Sequence, residues 1–223
     1  MKNEALQDRM LSALWPGHEA EPPTKWQQRK SVKMRERLVS AAVDCLVDGG
    51  YARLTTAAVA ARCKVSRGAM HHHFQTRMEL VSAVVEQVVY HRMRAFLADY
   101  FDSVANPGDQ PIIELACEAH WRSVQTREYA AHLELATAAR TDSELAAIFE
   151  PASRRYDEVW TSEMIEAFPQ WRDHRDMLKL AHDFTSAMHM GMLLHTPVFG
   201  TGERMERLRR FASRTMQELY DRR

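Results

Sequence analysis

Apolar residues recur every three or four positions along most of the chain, as they do on one face of an α-helix. The predicted helices end where glycine and proline cluster, because these residues favour turns and helix ends. Such breaks fall at Gly49-Gly50, residues 106–109, Pro169 and residues 197–202. The sequence shows neither strand-like alternation nor an internal repeat, so the pattern predicts an all-α protein.

Residues 55–74 form the most distinctive segment, in which two short helices are separated by a turn at residues 64–66. Thr55 and Ser66 are placed to cap the two helices, since a side-chain oxygen there can accept an unpaired backbone N–H. The second helix is too polar to be buried and too short to fold alone. The segment is therefore predicted to be a helix-turn-helix, a unit that reads DNA. The predicted inner face of its first helix consists of Ala57, Val59, Ala60 and Cys63.

A further helix is predicted on each side of this segment. The helix before it has apolar residues from Met34 to Leu46, is stopped by a left-handed cap at Gly49-Gly50, and closes a three-helix core with Tyr51 and Leu54. The helix after it starts at Arg77 and is expected to run to about residue 103. A helix of that length, which starts beside a DNA reader, is interpreted as a mechanical connector to a second core.

The net charge of the chain is zero, but the charges are unevenly distributed. From Lys25 to Arg77, eleven Lys and Arg residues stand against three Asp and Glu residues, a net of +8. Residues 1–24 carry −2 and residues 78–223 carry −6. A basic segment joined to a mildly acidic body is typical of a nucleic-acid-binding protein, and a uniformly charged enzyme surface would not give this division.

The N-terminal residues allow two interpretations. Leu6, Met10, Leu11 and Leu14 share one helical face, so a short amphipathic helix is one interpretation and a partly ordered tail is the other. Residues 25–30 then supply a basic patch with one aromatic side chain. This patch is either an arm that reaches DNA beside the main contact or a solvated lead-in to the first long helix.

Composition limits the classes of function. A chain of 223 residues with 45% hydrophobic residues can bury a substantial core. Neither a run long enough to span a membrane nor a signal peptide is visible, so we expect a cytoplasmic protein without a membrane partner. Cys45, Cys63 and Cys117 lack metal-ligand spacing and are expected to be buried thiols in a reducing compartment.

Eleven histidines raise the alternative of a metal-responsive regulator. The three in a row, residues 71–73, point about 100° apart on a helix and cannot converge on one metal ion. His182 and His189 share a helical face, but the sequence fixes no acidic or Cys partner beside them. Phosphate-binding loops, nucleophile elbows and HExxH motifs are absent, so neither catalysis nor a cofactor is predicted. A helical adaptor that binds protein is the remaining alternative, which the +8 segment disfavours.

Residues 34–80 resemble the TetR family of transcriptional regulators. The resemblance covers about a fifth of the chain, and its motifs are specific in order and spacing. The remaining helices fit the larger domain of that family by architecture alone. The residues that carry the resemblance are Gly49-Gly50-Tyr51, Thr55, Val59-Ala60, Val65-Ser66-Arg67-Gly68, Phe74, Arg77 and Leu80.

Three positions depart from the family pattern. Cys63-Lys64 stands where Ala-Gly is usual, so Lys64 is expected to adopt the left-handed conformation at some energetic cost and to add a phosphate contact. His71 stands where a phosphate-contacting tyrosine is usual, and an imidazole can still donate to a phosphate. Arg77 replaces the usual lysine.

The resemblance implies three parts: a partly ordered extension (residues 1–30), a helix-turn-helix DNA-binding domain (31–76) and a helical ligand-binding and dimerisation domain (77–223). It also implies a homodimeric repressor whose two heads enter successive major grooves, about 34–36 Å apart, of a palindromic operator. The candidates for contacts to base edges are Arg67, Ala69 and His72. The candidates for phosphate contacts are Thr55, Thr56, Lys64, His71, His73 and Arg77, and Ser66 completes the DNA-binding set.

The same resemblance implies a small, mostly apolar effector that releases the operator. Its predicted pocket consists of His120, Trp121, His132, Leu135, Met164, Phe184, Met188, His189 and Met192, for each of which plain core packing is the alternative. The dimer is predicted to form through the last two helices. Its predicted interface consists of Ala187, Gly191, Met205, Leu208, Ala212, Thr215 and Leu219, the last five being spaced by three and four residues. Packing within the chain is the alternative for this seam.

Overall fold

A computed structural model describes residues 2–14, 26–105, 110–167 and 169–221. These residues contain eleven α-helices, two 3₁₀ segments and no strand, which confirms the predicted all-α class. The helices are α1 (Lys2–Leu14), α2 (Trp26–Gly49), α3 (Thr56–Cys63), α4 (Arg67–His73), α5 (Arg77–Ala105), α6 (Ile112–Ser123), α7 (Arg127–Ala139), α8 (Ser143–Ala167), α9 (Arg175–Leu194), α10 (Thr196–Phe199) and α11 (Glu203–Asp221). The 3₁₀ segments are Tyr51–Arg53 and Pro169–His174.

The sequence pattern located the helices better than it located their ends. Helix α2 starts at Trp26, eight residues before Met34, so the described part of the basic patch is helical. Pro111 is the N-cap of α6, which starts at Ile112. The short helix α10 lies where only a chain break was predicted, with Pro197 in its first turn, where a missing N–H costs nothing.

The chain forms two compact units. Residues 11–92 and 127–157 form the first, here called the HTH unit, and residues 1–10, 93–126 and 158–223 form the second, here called the cavity unit. The predicted DNA-binding domain, residues 31–76, lies within the HTH unit together with α7. Helices α5 and α8 each contribute residues to both units.

In the HTH unit, α2 packs against both α3 and α7. Leu38, Leu46, Leu54 and Leu80 are completely buried there, and each such side chain stabilises the fold by about 1.5–3 kcal/mol. Arg127 at the start of α7 forms an ion pair with Asp44 of α2. An ion pair thus helps to hold α7 on α2.

Helix ends in the HTH unit follow the predicted local signals. Gly50, directly after α2, has φ 74° and ψ 173°, so the predicted positive φ is confirmed, although ψ is extended rather than left-handed helical. Asp142 caps α8, because its Oδ1 accepts from the Leu145 amide at 2.9 Å.

In the cavity unit, α11 packs on α6 and α9. Ala119, Met192, Met205 and Ala212 are among the buried residues of this core. The predicted amphipathic helix at the N-terminus is present as α1, whose residues 2–10 belong to this unit, with Leu6 and Met10 buried. Arg9 of α1 forms an ion pair of 2.9 Å with Glu163 of α8.

Cys63 and Cys117 are free and buried, as predicted, whereas Cys45 is half-buried. Within the described residues, the helices are all too short or too polar to cross a membrane.

Candidate nucleic-acid interface and effector cavity

The helix-turn-helix has the caps that the sequence predicted. Thr55 Oγ1 accepts from the Ala58 amide at 3.1 Å, and Ser66 Oγ accepts from the Ala69 amide at 3.1 Å. Lys64 lies between the two helices with φ 54° and ψ 45°, which confirms the predicted left-handed residue. For a side chain with a Cβ this conformation costs about 1–2 kcal/mol.

The inner face of α3 is smaller than predicted. Val59, Ala60 and Cys63 are buried, but Ala57 is exposed, so its assignment to the core was wrong. Ala57 lies two positions before Val59, and two helical residues so spaced point about 200° apart. It therefore faces outward when Val59 faces inward.

Helix α4 turns one face inward and the other outward. Met70 and, directly after the helix, Phe74 are 2% and 1% exposed and hold α4 on the core. Its outward face consists of the exposed residues Arg67, Gly68, Ala69, His71 and His72. The predicted base-contacting residues Arg67, Ala69 and His72 are therefore all exposed to solvent, and Arg67 also lines a groove that α3 and α4 form together.

Two arginines of α2 bind the C-terminal ends of α3 and α4, the two helices of the helix-turn-helix. Arg37 Nη2 donates to the carbonyl of Cys63, the last residue of α3, at 2.7 Å. Arg35 Nη1 donates to the carbonyl of His73, the last residue of α4, at 3.0 Å, and its guanidinium lies 4.2 Å from the Phe74 ring. These carbonyls have no partner within their own helices, so the two arginines satisfy helix ends as well as position them.

Arg77, a predicted phosphate contact, has partners inside the HTH unit. Its Nε donates to the Leu54 carbonyl at 2.7 Å, and its Nη2 and Nη1 donate to the carbonyl and hydroxyl of Tyr51 at 2.9 and 3.1 Å. The guanidinium also lies 4.2 Å from the Tyr51 ring. The structure thus uses Arg77 to fix the start of α5, a role that the sequence did not suggest, and its phosphate contact stays a prediction.

His73 also differs from the two histidines before it, since its side chain is half-buried. Burial, and then the neighbouring His72 and Arg35, lower the pKa of the His73 imidazole. A neutral imidazole binds a phosphate less strongly than an imidazolium. Of the predicted phosphate set, the exposed residues are Thr55, Lys64 and His71.

The cavity unit contains a cavity of about 110 Å³, a volume of roughly the size that holds one aromatic ring. Helices α5, α6, α8, α9 and α11 contribute to its wall. Its aromatic and aliphatic lining includes Phe96, Tyr100, Ile112, Ile113, Ala116, Trp160, Met164, Trp171, Met177, Leu178, Ala181, Met216 and Leu219. The remaining lining residues are Cys117, His120, His182 and Thr185.

The cavity wall is uncharged. None of the lining residues is Asp, Glu, Lys or Arg. Burial raises the pKa of the Cys117 thiol to about 11, so this residue stays protonated at neutral pH. His182 stacks on Trp160 with 3.8 Å between the ring centroids. Such a wall favours an uncharged, planar ligand.

Two histidines form a pair at this wall. His120 Nδ1 lies 2.8 Å from His189 Nδ1, and the two rings stack with 5.0 Å between their centroids. Burial and, secondarily, Arg209 lower the pKa of His189 to about 4. At neutral pH His189 is thus uncharged, and one of the two nitrogens must carry the proton that joins the pair.

The structure redistributes the predicted ligand-binding residues. His120 and Met164 line the cavity, and His189 reaches it through His120. Trp121, Met188 and Met192 belong to the cavity unit but not to the cavity wall. The other three lie away from the cavity wall: Phe184 faces outward, and His132 and Leu135 lie on α7 in the HTH unit, so their part in ligand binding stays a prediction.

The missed wall residues left a signal in the sequence that could have been used. Phe96 and Tyr100 are four residues apart on α5, and Trp160 and Met164 are four apart on α8. Aromatic and methionine pairs at that spacing share a helical face. The sequence cannot say, however, which such faces meet around an empty volume.

His132 belongs to a different cluster, which joins α5, α7 and α8 within the HTH unit. Arg92 Nη1 donates to His132 Nδ1 at 2.9 Å, and the Arg92 guanidinium lies 4.8 and 4.9 Å from the rings of Tyr129 and Tyr156. Burial and then Arg92 hold the pKa of His132 well below its ordinary value. His132 is therefore a neutral acceptor for Arg92.

The predicted dimer seam on α11 turns inward. Met205 and Ala212 are 4% and 1% exposed and pack in the chain's own core, and Leu219 lines the cavity, while Leu208 and Thr215 are half-buried. Packing within the chain, the alternative interpretation of this seam, is what these contacts show. Large apolar side chains are exposed elsewhere in the cavity unit, at Leu180, Phe184, Leu194, Val198 and Phe211.

The amino-acid sequence of the chain is similar to those of known regulatory proteins. The family model for bacterial regulatory proteins of the tetR family matches residues 38–84. An uncharacterised HTH-type transcriptional regulator of Mycobacterium tuberculosis is 29% identical over 119 residues, or 53% of this chain and 60% of that protein. The chain thus matches only about three fifths of the length of that relative.

Solved structures share the fold over a larger part of the chain. A TetR-family member from Streptomyces coelicolor matches 83% of this chain and 96% of its own, with a TM-score of 0.60 and 19% identity. The multidrug binding protein EbrR, complexed with malachite green, matches 83% of this chain and 96% of its own, with a TM-score of 0.57 and 18% identity. At these identities the likeness shows the fold alone.

Proposed function

Because the chain belongs to the TetR family of transcriptional regulators, we propose that it binds a palindromic operator as a homodimer and releases it when a small, uncharged, mostly apolar molecule enters the cavity. The observation that carries this proposal is the outward face of α4, which is polar and exposed. The helix is capped by Ser66 and lies in a segment of net charge +8, residues 25–77. In this proposal residues 31–76 are the DNA-binding head, residues 77–223 the effector and dimerisation domain, and residues 1–30 an extension.

The outward face of α4 suits the major groove. Arg67 stands at the start of α4, where a reading helix presents its first residues to base edges, and a guanidinium can bind guanine through two donors. Ala69 and His72 complete the base-contacting set. Thr55, Thr56, Lys64 and His71 would bind phosphates, which orient the head without reading sequence.

The dimer contact is assigned to α9 in place of the inward seam of α11. Leu180, Phe184, Ala187, Gly191 and Leu194 are spaced 4, 3, 4 and 3 residues apart, which is the spacing of a helix–helix seam. Leu180, Phe184 and Leu194 are 55, 42 and 61% exposed, and a large apolar stripe in solvent marks an interaction surface. Ala187 and Gly191 are small enough for a partner helix to approach closely.

Phe211 of α11, 67% exposed, is proposed to join this interface. The proposed interface therefore still uses the last two long helices, α9 and α11, and still includes Ala187 and Gly191, as the sequence predicted. It exchanges the buried residues Met205 and Ala212 for exposed ones.

The effector is proposed to be an uncharged molecule with one aromatic ring and one hydrogen-bonding group. The cavity wall lacks a charged partner, and His120 is the lining imidazole that is held by a hydrogen bond to His189. EbrR, which shares the fold, is described with malachite green and proflavin, so this fold accommodates aromatic molecules in at least one other protein.

Release of DNA is proposed to pass along α5. Phe96 and Tyr100 of this helix line the cavity, and its first residue, Arg77, is fixed to Tyr51 and Leu54. A ligand that favours one position of α5 would bias the placement of the heads. Such coupling is typically worth about 1–3 kcal/mol.

Selection of bound sequences from random duplex DNA tests the function. We expect the protein to enrich an inverted repeat whose half-site centres lie about one helical turn, or a multiple of it, apart. Single-ring, uncharged aromatic compounds are then screened for release of the enriched duplex. Enrichment of no sequence, or of a single unrepeated site, would contradict the proposal.

A further inference from the structure

The first three turns of α2 carry a basic stripe outside the helix-turn-helix. Trp26, Lys30, Lys33 and Arg37 are spaced 4, 3 and 4 residues apart, which places them on one helical face. Between residues 26 and 37 there are five Lys and Arg residues and one acidic residue, a net of +4. The described side chains from Trp26 to Lys33 are all exposed.

This stripe ends beside the helix-turn-helix formed by α3 and α4. Arg37, its last member, donates to the carbonyl of Cys63, the residue before Lys64 in the turn. Arg35, two positions earlier, donates to the carbonyl of His73 at the end of α4. From the ends of α3 and α4, where it reaches Arg37, the stripe therefore extends for about 16 Å along α2 towards Trp26.

The lysines of the stripe are not used to stabilise the HTH unit. In the part of the chain that the structure describes, neither Lys30 nor Lys33 pairs with a carboxylate, and Lys30 Nζ lies 5.3 Å from the Trp26 ring. A helical face that is merely solvated usually alternates positive and negative charges. A face with one sign of charge, continuous with a DNA-reading unit, suits a polyanion.

We propose that this face of α2, through Lys30 and Lys33, binds backbone phosphates of duplex DNA beside the groove that α4 enters. This inference rests on the proposed function. The partner is the phosphate backbone rather than the bases, because a lysine ammonium is a flexible point charge that positions a protein without reading sequence.

A double variant, Lys30→Ala/Lys33→Ala, tests the assignment by fluorescence anisotropy on the selected operator and on a scrambled duplex, each over a series of salt concentrations. Arg154→Ala/Arg155→Ala is the matched control, because it removes the same charge from exposed positions of α8 in the HTH unit. Lys30→Arg/Lys33→Arg keeps the charge.

The alanine pair should weaken binding to both duplexes by a similar factor. It should also reduce the slope of log K against log salt by about 0.9 for each phosphate that is no longer neutralised, or about 1.8 for each head. The control and the arginine pair should keep the wild-type slope. An unchanged slope, a weakening confined to the selected operator, or an equal weakening in the control would overturn the inference.

Failure of the broader proposal would look different. If the wild-type protein bound no duplex with a steep salt dependence, the proposed DNA-binding function would fail, and this inference with it. If the wild-type slope were steep and the alanine pair matched it, only the role of the α2 stripe would fail. If the alanine pair weakened binding to an acidic peptide but not to DNA, the stripe would be assigned to a protein partner, and the inference would also be overturned.

Discussion

His120 and His189 meet Nδ1 to Nδ1 at 2.8 Å, which couples the cavity wall on α6 to a fully buried residue of α9. Only one proton can occupy that contact, so the pair is a hydrogen bond while at least one ring is neutral. His189 also lies near Arg209, which forms an ion pair with Glu118. Stability of the cavity unit should therefore depend on pH through His189.

The sign of this dependence follows from the lowered pKa. The unfolded chain takes up a proton on this residue below pH 6.5, whereas folded His189 does so only near pH 4. Stability is therefore complete above pH 6.5 and falls as the pH decreases towards 4, by about 1.4 kcal/mol per pH unit from this residue. The lowered pKa of His132 acts in the same direction.

Urea unfolding at pH 7 and pH 5 checks this prediction with His189→Asn, which keeps a hydrogen-bonding group near His120. The variant should lose less stability between the two pH values than the wild type, since one of the two buried histidines no longer titrates. An identical loss in both proteins would show that His189 does not contribute.

Arg77→Lys separates the two roles of this residue. The substitution keeps the positive charge but cannot reproduce the three donors that reach Tyr51 and Leu54, so it should destabilise the protein by about 1–3 kcal/mol. Tyr51→Phe, which removes only the hydroxyl acceptor, should cost less. Unchanged stability with weakened DNA binding would instead support the phosphate contact predicted from the sequence.

Ala116→Leu tests the cavity by filling it. Ala116 lines the wall, and the added isopropyl group should occupy space that the effector needs. Operator affinity should stay at the wild-type level while the effector no longer causes release. Ala147→Leu, at an exposed position of α8, is the control and should respond as the wild type does. Full release from the Ala116 variant would place the effector elsewhere.

Phe184→Asp tests the dimer contact. A carboxylate in the centre of the α9 stripe would be desolvated against the partner without a counter-charge, so sedimentation analysis should find a monomer and operator affinity should fall at least about tenfold. Val47→Asp changes another exposed apolar side chain, on α2, and should leave the dimer intact. A dimeric Phe184 variant would move the interface away from α9.

Local signals in the sequence were sufficient for the reading unit. The caps at Thr55 and Ser66 depend on neighbours within a few residues, so residue types and spacing determine them. The positions of most helices followed from apolar periodicity for the same reason. The left-handed Lys64 followed instead from the family resemblance, because glycine is usual at that position. The outward face of α4 followed from its polarity.

Features that depend on distant neighbours could not be predicted. The periodicity of α11 identified an apolar seam, but the same spacing suits a partner subunit and the chain's own α6 and α9 equally well. Phe184 is aromatic, as residues of apolar pockets often are, and only its position on α9 shows that it faces solvent. The partners of Arg77 lie 23 and 26 residues away, beyond any local pattern.

The proposed function depends above all on the outward face of α4 reading DNA sequence, and Arg67→Ala tests this directly. Binding of this variant and of the wild type to the selected operator and to a scrambled duplex is measured at one salt concentration. We expect a loss of about 1–3 kcal/mol, roughly five- to 150-fold, on the operator and a much smaller change on the scrambled duplex. Equal operator affinity of the two proteins, or equal losses on both duplexes, would contradict the proposal.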